Sequence, residues 1–384
     1  MSRNVEYRGR DPVSGGTLVV HVRDGRIAGV ETSYDPAPDL PWLAAGLVDL
    51  QVNGYAGLDL NDGVLTVATV VALCRRLAGE AVTRFLPTVI TASADEMLQR
   101  IGAIARAVAE DPLARRMIAG IHVEGPFFSP LDGPRGAHPV DQVRPADLSE
   151  IRRWQEAAGG LVRIVTLAPE VPGAEAAIRG ATAMGIRVAI GHSAATPADI
   201  EMAVAAGASL STHLGNGIFA TLPRHPNPIW SQLAEDRLTA SLICDGHHLP
   251  FDTARAMIRA KGPGRAVLIS DSVALAGMPP GRYETAVGGA VDVSEEGKVS
   301  LAGTDFLAGS GHSLRVGVAR AVNGAGCSLP QALAMASADA AAAAWLEPCL
   351  QPGARADLIR FDWSPGDDTL DLREVVIEGE RVAP

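Results

Sequence analysis

The feature that most constrains the fold of this chain is a regular alternation of short apolar runs with longer alanine-rich stretches between residues 47 and 350. The short runs read GLVDLQV, TRFLPTVI, MIAGIHVE, LVRIVTLAPE, GIRVAIGHS, GASLSTHL, LTASLICDG and RAVLISDS. This alternation predicts parallel strands joined by crossover helices, and about eight strands are consistent with a closed (β/α)8 barrel, a TIM-like α/β fold. Aromatic residues make up only 4% of the 384 residues, so the core must consist mainly of Ala, Val, Leu and Ile.

The two ends of the chain resemble each other and differ from the middle. In TLVVHVRDGRIAGVE, two β-branched runs flank Asp24-Gly25, which is typical of a β-hairpin. The last 34 residues also consist of short strand-like runs separated by turn residues. We therefore expect a small β-sandwich module built from residues 1–46 and 351–384, with the barrel spanning residues 47–350.

Composition limits the possible partners and the compartment. The net charge is −11 and there are no basic clusters, which argues against nucleic acid or an anionic membrane as a partner and leaves a small molecule. The four Cys residues show no C-x-x-C spacing, so neither a disulfide framework nor a thiolate zinc site is expected. The polar N-terminus and the lack of a long apolar run predict a cytoplasmic protein.

Polar side chains recur where the predicted strands end. In a parallel barrel, the carboxyl ends of all strands meet at one rim, which is where such barrels carry out their chemistry. We therefore expect the following residues to converge there: Asp49, Gln51, Asn53, Glu124, His192, His213, His248 and Asp271.

One Glu and two His from different strands match a catalytic metal site that keeps an open position for water. Glu124, His192 and His213 are the candidates, although either histidine taken alone is better interpreted as a hydrogen-bonded core residue. Asp271 could act as a general base beside such a site, or it could cap a helix that begins in SDSVALAG. His122 shares the strand face of Glu124 and could support the site or belong to the core.

Several motifs, in order along the chain, resemble those of the N-acetylglucosamine-6-phosphate deacetylases, a branch of the metal-dependent amidohydrolase superfamily. They are GLVDLQVNGYAGLDLND, HVEGPFFSP with GAHP, GHSAATPADIEMAVAAGASLSTHLGN, DGHHL, ISDSVALAG and LAGTDFLAG. The resemblance runs from about residue 46 to the end. It implies an enzyme that hydrolyses the acetamide of N-acetylglucosamine 6-phosphate to glucosamine 6-phosphate and acetate.

The resemblance also implies roles for individual residues. Glu124, His192 and His213 would bind one divalent metal, with zinc expected and iron, manganese or cobalt compatible. A single metal is expected because Gln51 and Asn53 occupy the positions where most amidohydrolases have a His-x-His pair. The implied catalytic residues are Asp271, as acid and base, and His138, near the developing oxyanion.

The substrate-binding residues implied by the resemblance are Ala137, Asn216, Gly217, Arg224 and His248. Arg224 lies where the family has an arginine that grips the substrate phosphate from the neighbouring subunit of a homodimer. A solvent-facing loop arginine is the alternative at this position. His248 would hold an oxygen of the sugar.

Two segments depart from the family pattern. The segment HLGNGIFATLPRHPNPIW replaces the usual H-L-F-N-A-M beginning, and LAGTDFLAGSGHSL differs from the usual L-A-G-S-x-L-T-M. These changes leave the reaction class intact but open alternatives for the substrate, namely N-acetylgalactosamine 6-phosphate or an unphosphorylated sugar. A non-catalytic sugar-binding barrel is a further alternative, against which the complete set of metal ligands and Asp271 argues.

Overall fold

The computed structural model describes residues 4–285, 289–304 and 306–383. Its strands are β1 (Asn4–Arg10), β2 (Thr17–Arg23), β3 (Arg26–Ser33), β4 (Trp42–Ala45), β5 (Leu47–Val52), β6 (Gly54–Tyr55), β7 (Leu58–Asp59), β8 (Val82–Ile90), β9 (Ile121–Glu124), β10 (Val162–Leu167), β11 (Arg187–Ile190), β12 (Leu210–Ser211), β13 (Thr239–Ile243), β14 (Ala266–Ile269), β15 (Gly281–Thr285), β16 (Gly289–Val293), β17 (Val299–Leu301), β18 (Leu358–Asp362), β19 (Asp371–Ile377) and β20 (Glu380–Ala383). Its helices are α1 (Val67–Ala78), α2 (Ala94–Glu110), α3 (Pro112–Met117), α4 (Leu148–Ala157), α5 (Ala174–Ala183), α6 (Pro197–Ala206), α7 (Pro228–Ala234), α8 (Phe251–Lys261), α9 (Leu314–Asn323), α10 (Leu329–Met335) and α11 (Ala338–Ala343).

Eight strands within the described ranges form the parallel barrel that the alternation predicts. Their order is β5, β8, β9, β10, β11, β12, β13 and β14, and every neighbouring pair is parallel. A parallel bridge between Val52 and Ser272 joins the ends of the first and last strands. The (β/α)8 fold predicted from the sequence is confirmed.

Apolar packing closes one end of the barrel and leaves the other end free for a site. The inner layer at the amino ends of the strands consists of small and branched residues, such as Leu50, Ile164 and Val267. The alanines of α11 pack against this layer from below. The opposite end of the barrel, where Glu124 ends β9, is left for the candidate site residues.

The chain ends share one seven-stranded sheet in the order β20, β19, β18, β4, β1, β2, β3. Asp24 and Gly25 both take positive φ values, 50° and 79°, between β2 and β3, as a two-residue hairpin turn requires. Side chains from both halves of the sheet, including Val20 and Val376, share one core. Both termini thus contribute to one sheet, while the boundaries at 46/47 and 350/351 stay a prediction.

A small antiparallel sheet, β15–β17, is inserted after the last barrel strand. It has its own cluster of buried residues, among them Leu275, Val291 and Val299. This sheet was not predicted from the sequence. No helix in the described ranges is long and apolar enough to cross a membrane.

Candidate active site

Glu124, His192, His213 and Asp271 lie where the barrel strands end, as the sequence predicts, whereas Asp49 and Gln51, predicted at the same rim, lie within β5. Glu124 is the last residue of β9, and His192, His213 and Asp271 each follow β11, β12 and β14 by two residues. These last three have positive φ values of 50°, 32° and 48°. Such values are uncommon for residues other than glycine and often mark functional sites, because the surrounding structure must hold the strain.

Three of these side chains meet closely enough to hold one metal ion. Glu124 Oε1 lies 3.0 Å from His213 Nε2 and 3.3 Å from His192 Nε2, and the two nitrogens are 3.1 Å apart. Ligand atoms of a tetrahedral zinc ion, with bonds of roughly 2.0–2.1 Å, are about 3.3 Å apart. The buried Glu-His-His cluster therefore fits a divalent metal site.

The orientation of His192 supports this interpretation. Its Nδ1 lies 3.0 Å from the carbonyl oxygen of Pro134, so Nδ1 carries the proton and Nε2 presents its lone pair to the cluster. Burial opposes ionisation of Glu124, but the adjacent rings of His192 and His213 hold the pKa of its carboxyl well below the usual range. Burial lowers the pKa of His192, so that its neutral, ligating form is favoured.

Two side-chain amides anchor the carboxylate of Asp271. Gln51 Nε2 donates to Asp271 Oδ1 at 3.0 Å and to Glu124 Oε1 at 2.9 Å. Asn53 Nδ2 donates to the same oxygen of Asp271 at 2.8 Å. No described residue bonds to Asp271 Oδ2, and Asp271 lines the pocket. Burial and the nearby Glu124 carboxylate raise the pKa of Asp271 to about 7, which suits a group that exchanges protons.

His138 lies beside the cluster in the same pocket. Its ring centroid is 4.4 Å from that of His192 and 4.8 Å from that of Phe128, with edge-to-face geometry in both pairs. Burial, followed by the neighbouring His192, holds the pKa of His138 well below the usual range. The ring is therefore neutral near neutral pH and retains one N–H that can be donated to a bound ligand.

His248 reaches the pocket from the loop after β13. Its Nδ1 lies 2.7 Å from Oδ2 of Asp245, a carboxylate that is 3% exposed. The other oxygen of Asp245 accepts the backbone N–H groups of His247 and His248. The geometry thus places a buried carboxylate directly behind His248.

The pocket has a volume of about 580 Å³. Its lining includes the three candidate metal ligands and Asp271, the candidate acid and base. It also includes His138, His248, Ala137, Asn216 and Gly217. The outer part of the pocket is apolar, with Phe219, Leu222 and Leu307 among the lining residues. Within the described part of the chain, no Lys or Arg lines this pocket, and Arg224 is an exposed residue outside it.

The structure decides between the two interpretations that the sequence left open for Asp271 and for His122. Asp271 caps no helix, because the following Ser272 forms bridges with Val52 and Ser310. His122 lies in the barrel interior, where Nδ1 contacts the Leu50 carbonyl and Nε2 contacts the Thr166 hydroxyl. His122 therefore belongs to the hydrogen-bonded core beneath the site and does not line the main pocket.

Comparison with known proteins is consistent with this geometry. The model of the amidohydrolase family matches residues 42–382. The chain belongs to the amidohydrolase family.

Two relatives define its branch of this family. The chain is 35% identical to the N-acetylglucosamine-6-phosphate deacetylase of Bacillus subtilis over 301 residues, which cover 76% of this chain and 74% of that protein. It is 32% identical to the N-acetylgalactosamine-6-phosphate deacetylase of Escherichia coli O157:H7 over 371 residues, which cover 94% and 93% of the two chains. The resemblance to the deacetylase branch of the amidohydrolases is confirmed.

Solved structures of this branch share the complete fold. A mutant N-acetyl-D-glucosamine-6-phosphate deacetylase from Mycobacterium smegmatis, in complex with N-acetyl-D-glucosamine-6-phosphate, superposes with a TM-score of 0.86 at 29% identity. The match covers 99% of this chain and 100% of that one. The corresponding enzyme from Thermotoga maritima gives a TM-score of 0.85 at 26% identity, over 98% and 99% of the two chains.

Some residues of this amidohydrolase site carried no assigned role in the sequence analysis. The carbonyl of Pro134 orients His192, Asp245 supports His248, and Asp59 lines the pocket. Asp245 had a detectable signal, because Asp-Gly directly after a strand favours a tight turn around the Asp side chain. A backbone carbonyl such as that of Pro134 leaves no such signal in a sequence.

Proposed function

We propose that this amidohydrolase is a metal-dependent deacetylase that converts N-acetylglucosamine 6-phosphate to glucosamine 6-phosphate and acetate. One observation carries the proposal. A Glu-His-His cluster that fits a divalent ion lines the same pocket as Asp271, whose Oδ2 has no partner among the described residues. The relatives of this branch, whose names give this activity, support the choice of substrate.

Glu124, His192 and His213 would hold the metal, which we propose to be zinc. When bound, a divalent ion of this kind supplies Lewis-acid polarisation of a carbonyl and lowers the pKa of water. Three protein ligands leave room for the substrate or for water, as in catalytic zinc sites. Iron, manganese and cobalt also accept this set of ligands.

The remaining steps belong to side chains of the pocket. Asp271 Oδ2 accepts a proton from the water that attacks the acetamide carbonyl carbon. The neutral ring of His138 donates a hydrogen bond to the carbonyl oxygen as negative charge develops there. Asp271 then returns the proton to the nitrogen as the C–N bond breaks, which releases acetate and the free amine.

Ala137, Asn216, Gly217 and His248 are proposed to contact the sugar, since all four line the pocket. We propose that Arg224 binds the substrate phosphate in the pocket of a second copy within a homodimer. Its exposure and the lack of a lining Lys or Arg among the described residues support a contribution from a partner. The four unbridged Cys residues are consistent with the proposed cytoplasmic location.

Because no described Lys or Arg lines the pocket, one alternative substrate class is also favoured, an unphosphorylated N-acyl amino sugar. The relative from Escherichia coli O157:H7 supports a second alternative, N-acetylgalactosamine 6-phosphate. These alternatives share the reaction and differ only in what the outer pocket binds.

Acetate release by zinc-loaded protein from both phosphorylated sugars, each compared with its unphosphorylated form, tests the proposal. We expect kcat/KM to be highest for N-acetylglucosamine 6-phosphate, by at least about tenfold. If another of the four sugars gave the highest kcat/KM, that sugar would be assigned as the substrate instead. If none of them released acetate from protein with metal bound, the deacetylase activity would be excluded.

A further inference from the structure

The loop after β13 is built around the carboxylate of Asp245. Oδ1 accepts the backbone N–H of His247 at 2.8 Å and that of His248 at 2.9 Å, while Oδ2 lies 2.7 Å from His248 Nδ1. Gly246, with φ of 78°, allows the tight turn between them. The guanidinium of Arg320 donates to the carbonyl oxygen of Asp245 and fixes the loop from the other side.

This geometry determines which nitrogen of His248 carries a proton. Although burial opposes ionisation, the hydrogen bond with His248 holds the pKa of Asp245 well below its usual value. An ionised carboxylate can only accept hydrogen bonds, so Nδ1 of His248 must be protonated. In the neutral ring Nε2 then carries the lone pair, and no described residue forms a hydrogen bond with it.

We propose that Asp245 is a positioning residue that holds His248 in the tautomer protonated on Nδ1. The Nε2 of this pocket-lining ring then accepts a hydrogen bond from a hydroxyl group of the sugar. The inference rests on the proposed function, because it assumes that the ligand of the pocket is an amino sugar. It adds a preference for a hydroxyl donor at this point, since a lone pair cannot satisfy another acceptor.

The substitution Asp245→Asn reverses this polarity with little change in shape. Oδ1 of the new side chain can still accept both backbone N–H groups of the turn. The amide nitrogen now replaces Oδ2 and donates toward His248 Nδ1, which must become the acceptor. The proton of the ring therefore moves to Nε2, where it faces the pocket as a donor.

Nuclear magnetic resonance can detect the tautomer without any turnover. Long-range ¹H–¹⁵N spectra of the zinc-loaded protein at about pH 8, above the ordinary imidazole pKa, report which ring nitrogen is protonated. His248→Asn identifies the signal by its loss. We expect Nδ1–H in the parent and Nε2–H in Asp245→Asn; Nε2–H in the parent protein would overturn the proposal even if the variant fails to fold.

Kinetics then separate positioning from a general structural role. We expect Asp245→Asn to lower kcat/KM for N-acetylglucosamine 6-phosphate by up to roughly 10-fold, mainly through KM, because the sugar hydroxyl can no longer donate to Nε2 and must turn to accept from Nε2–H. In the His248→Asn background, the same change should cost less than about twofold. Equal losses in both backgrounds would show that Asp245 does not act through His248.

The chain offers a matched control in Asp111. Its Oδ1 also accepts two backbone N–H groups, those of Leu113 and Ala114, at 2.8 and 2.9 Å, in the connection between α2 and α3. Asp111→Asn should leave both the tautomer of His248 and the kinetics unchanged. If the parent releases no acetate from any of the four sugars, the proposed function fails, while the tautomer of His248 still decides the role of Asp245.

Discussion

The substitution Asp271→Asn replaces one oxygen of the site with nitrogen and leaves its anchoring in place. Oδ1 of Asp271 accepts the amides of Gln51 at 3.0 Å and Asn53 at 2.8 Å, and the oxygen of an asparagine can accept both. The atom that changes is Oδ2, which has no partner among the described residues. The Glu-His-His cluster keeps all of its ligand atoms, so the metal should remain bound.

We expect Asp271→Asn to lose only the contribution that proton transfer makes to the rate. General acid–base catalysis contributes about 10²–10⁴-fold to a rate, which corresponds to roughly 3–5 kcal/mol in the activation free energy. We therefore expect kcat for acetate release at saturating N-acetylglucosamine 6-phosphate to fall by this factor. The metal content, measured on the same sample by atomic absorption, should equal that of the parent.

Asp49 provides the matched control for this experiment. It is also a buried aspartate of the barrel, within β5, but it accepts the backbone N–H groups of Gln51 and Ser270 and does not line the pocket. We expect Asp49→Asn to retain kcat within about tenfold, since it removes no proton-transfer group. A parent-like rate in Asp271→Asn, or equal losses in both variants, would refute the assigned role of Asp271.

Three further outcomes are expected. Burial raises the pKa of Asp49 to about 6, which means that the folded protein favours the protonated carboxyl. The free energy of unfolding therefore contains this contribution in full below about pH 4 and loses it as the pH rises through 6. In urea titrations the stability of the parent relative to Asp49→Asn should therefore fall by roughly 3 kcal/mol between about pH 4 and pH 7. Gln51→Leu should weaken metal binding about 10- to 100-fold in chelator competition, because Glu124 loses its amide donor. Arg224→Ala should raise KM for the phosphorylated sugar and leave an unphosphorylated sugar unaffected; equal KM changes for both would contradict phosphate binding.

The position of the site could be predicted from sequence because it depends on a few general rules. Short apolar runs predict strands, parallel strands place their carboxyl ends at one rim, and polar residues at those ends must then converge. Glu124, His192 and His213 satisfy all three conditions, although they are far apart in the chain. No detail of packing was needed to bring them together.

Other features depend on contacts that leave little trace in the sequence. The segment after Asp271 has the polar start of a helix, yet Ser272 pairs with Val52 and Ser310, so it is held in bridges. The β15–β17 sheet is stabilised by its own small cluster and by register between strands, neither of which a local pattern specifies.

The amide of Gln51 gives a physical reason for our proposal of one metal ion instead of two. Its nitrogen lies 2.9 Å from a Glu124 oxygen and 3.0 Å from an Asp271 oxygen, and two carboxylates require that the NH₂ group faces them. A second cation between these carboxylates would meet N–H donors where it needs lone pairs. The amide thus stabilises both negative charges without a second metal, and it leaves Asp271 Oδ2 free for proton transfer.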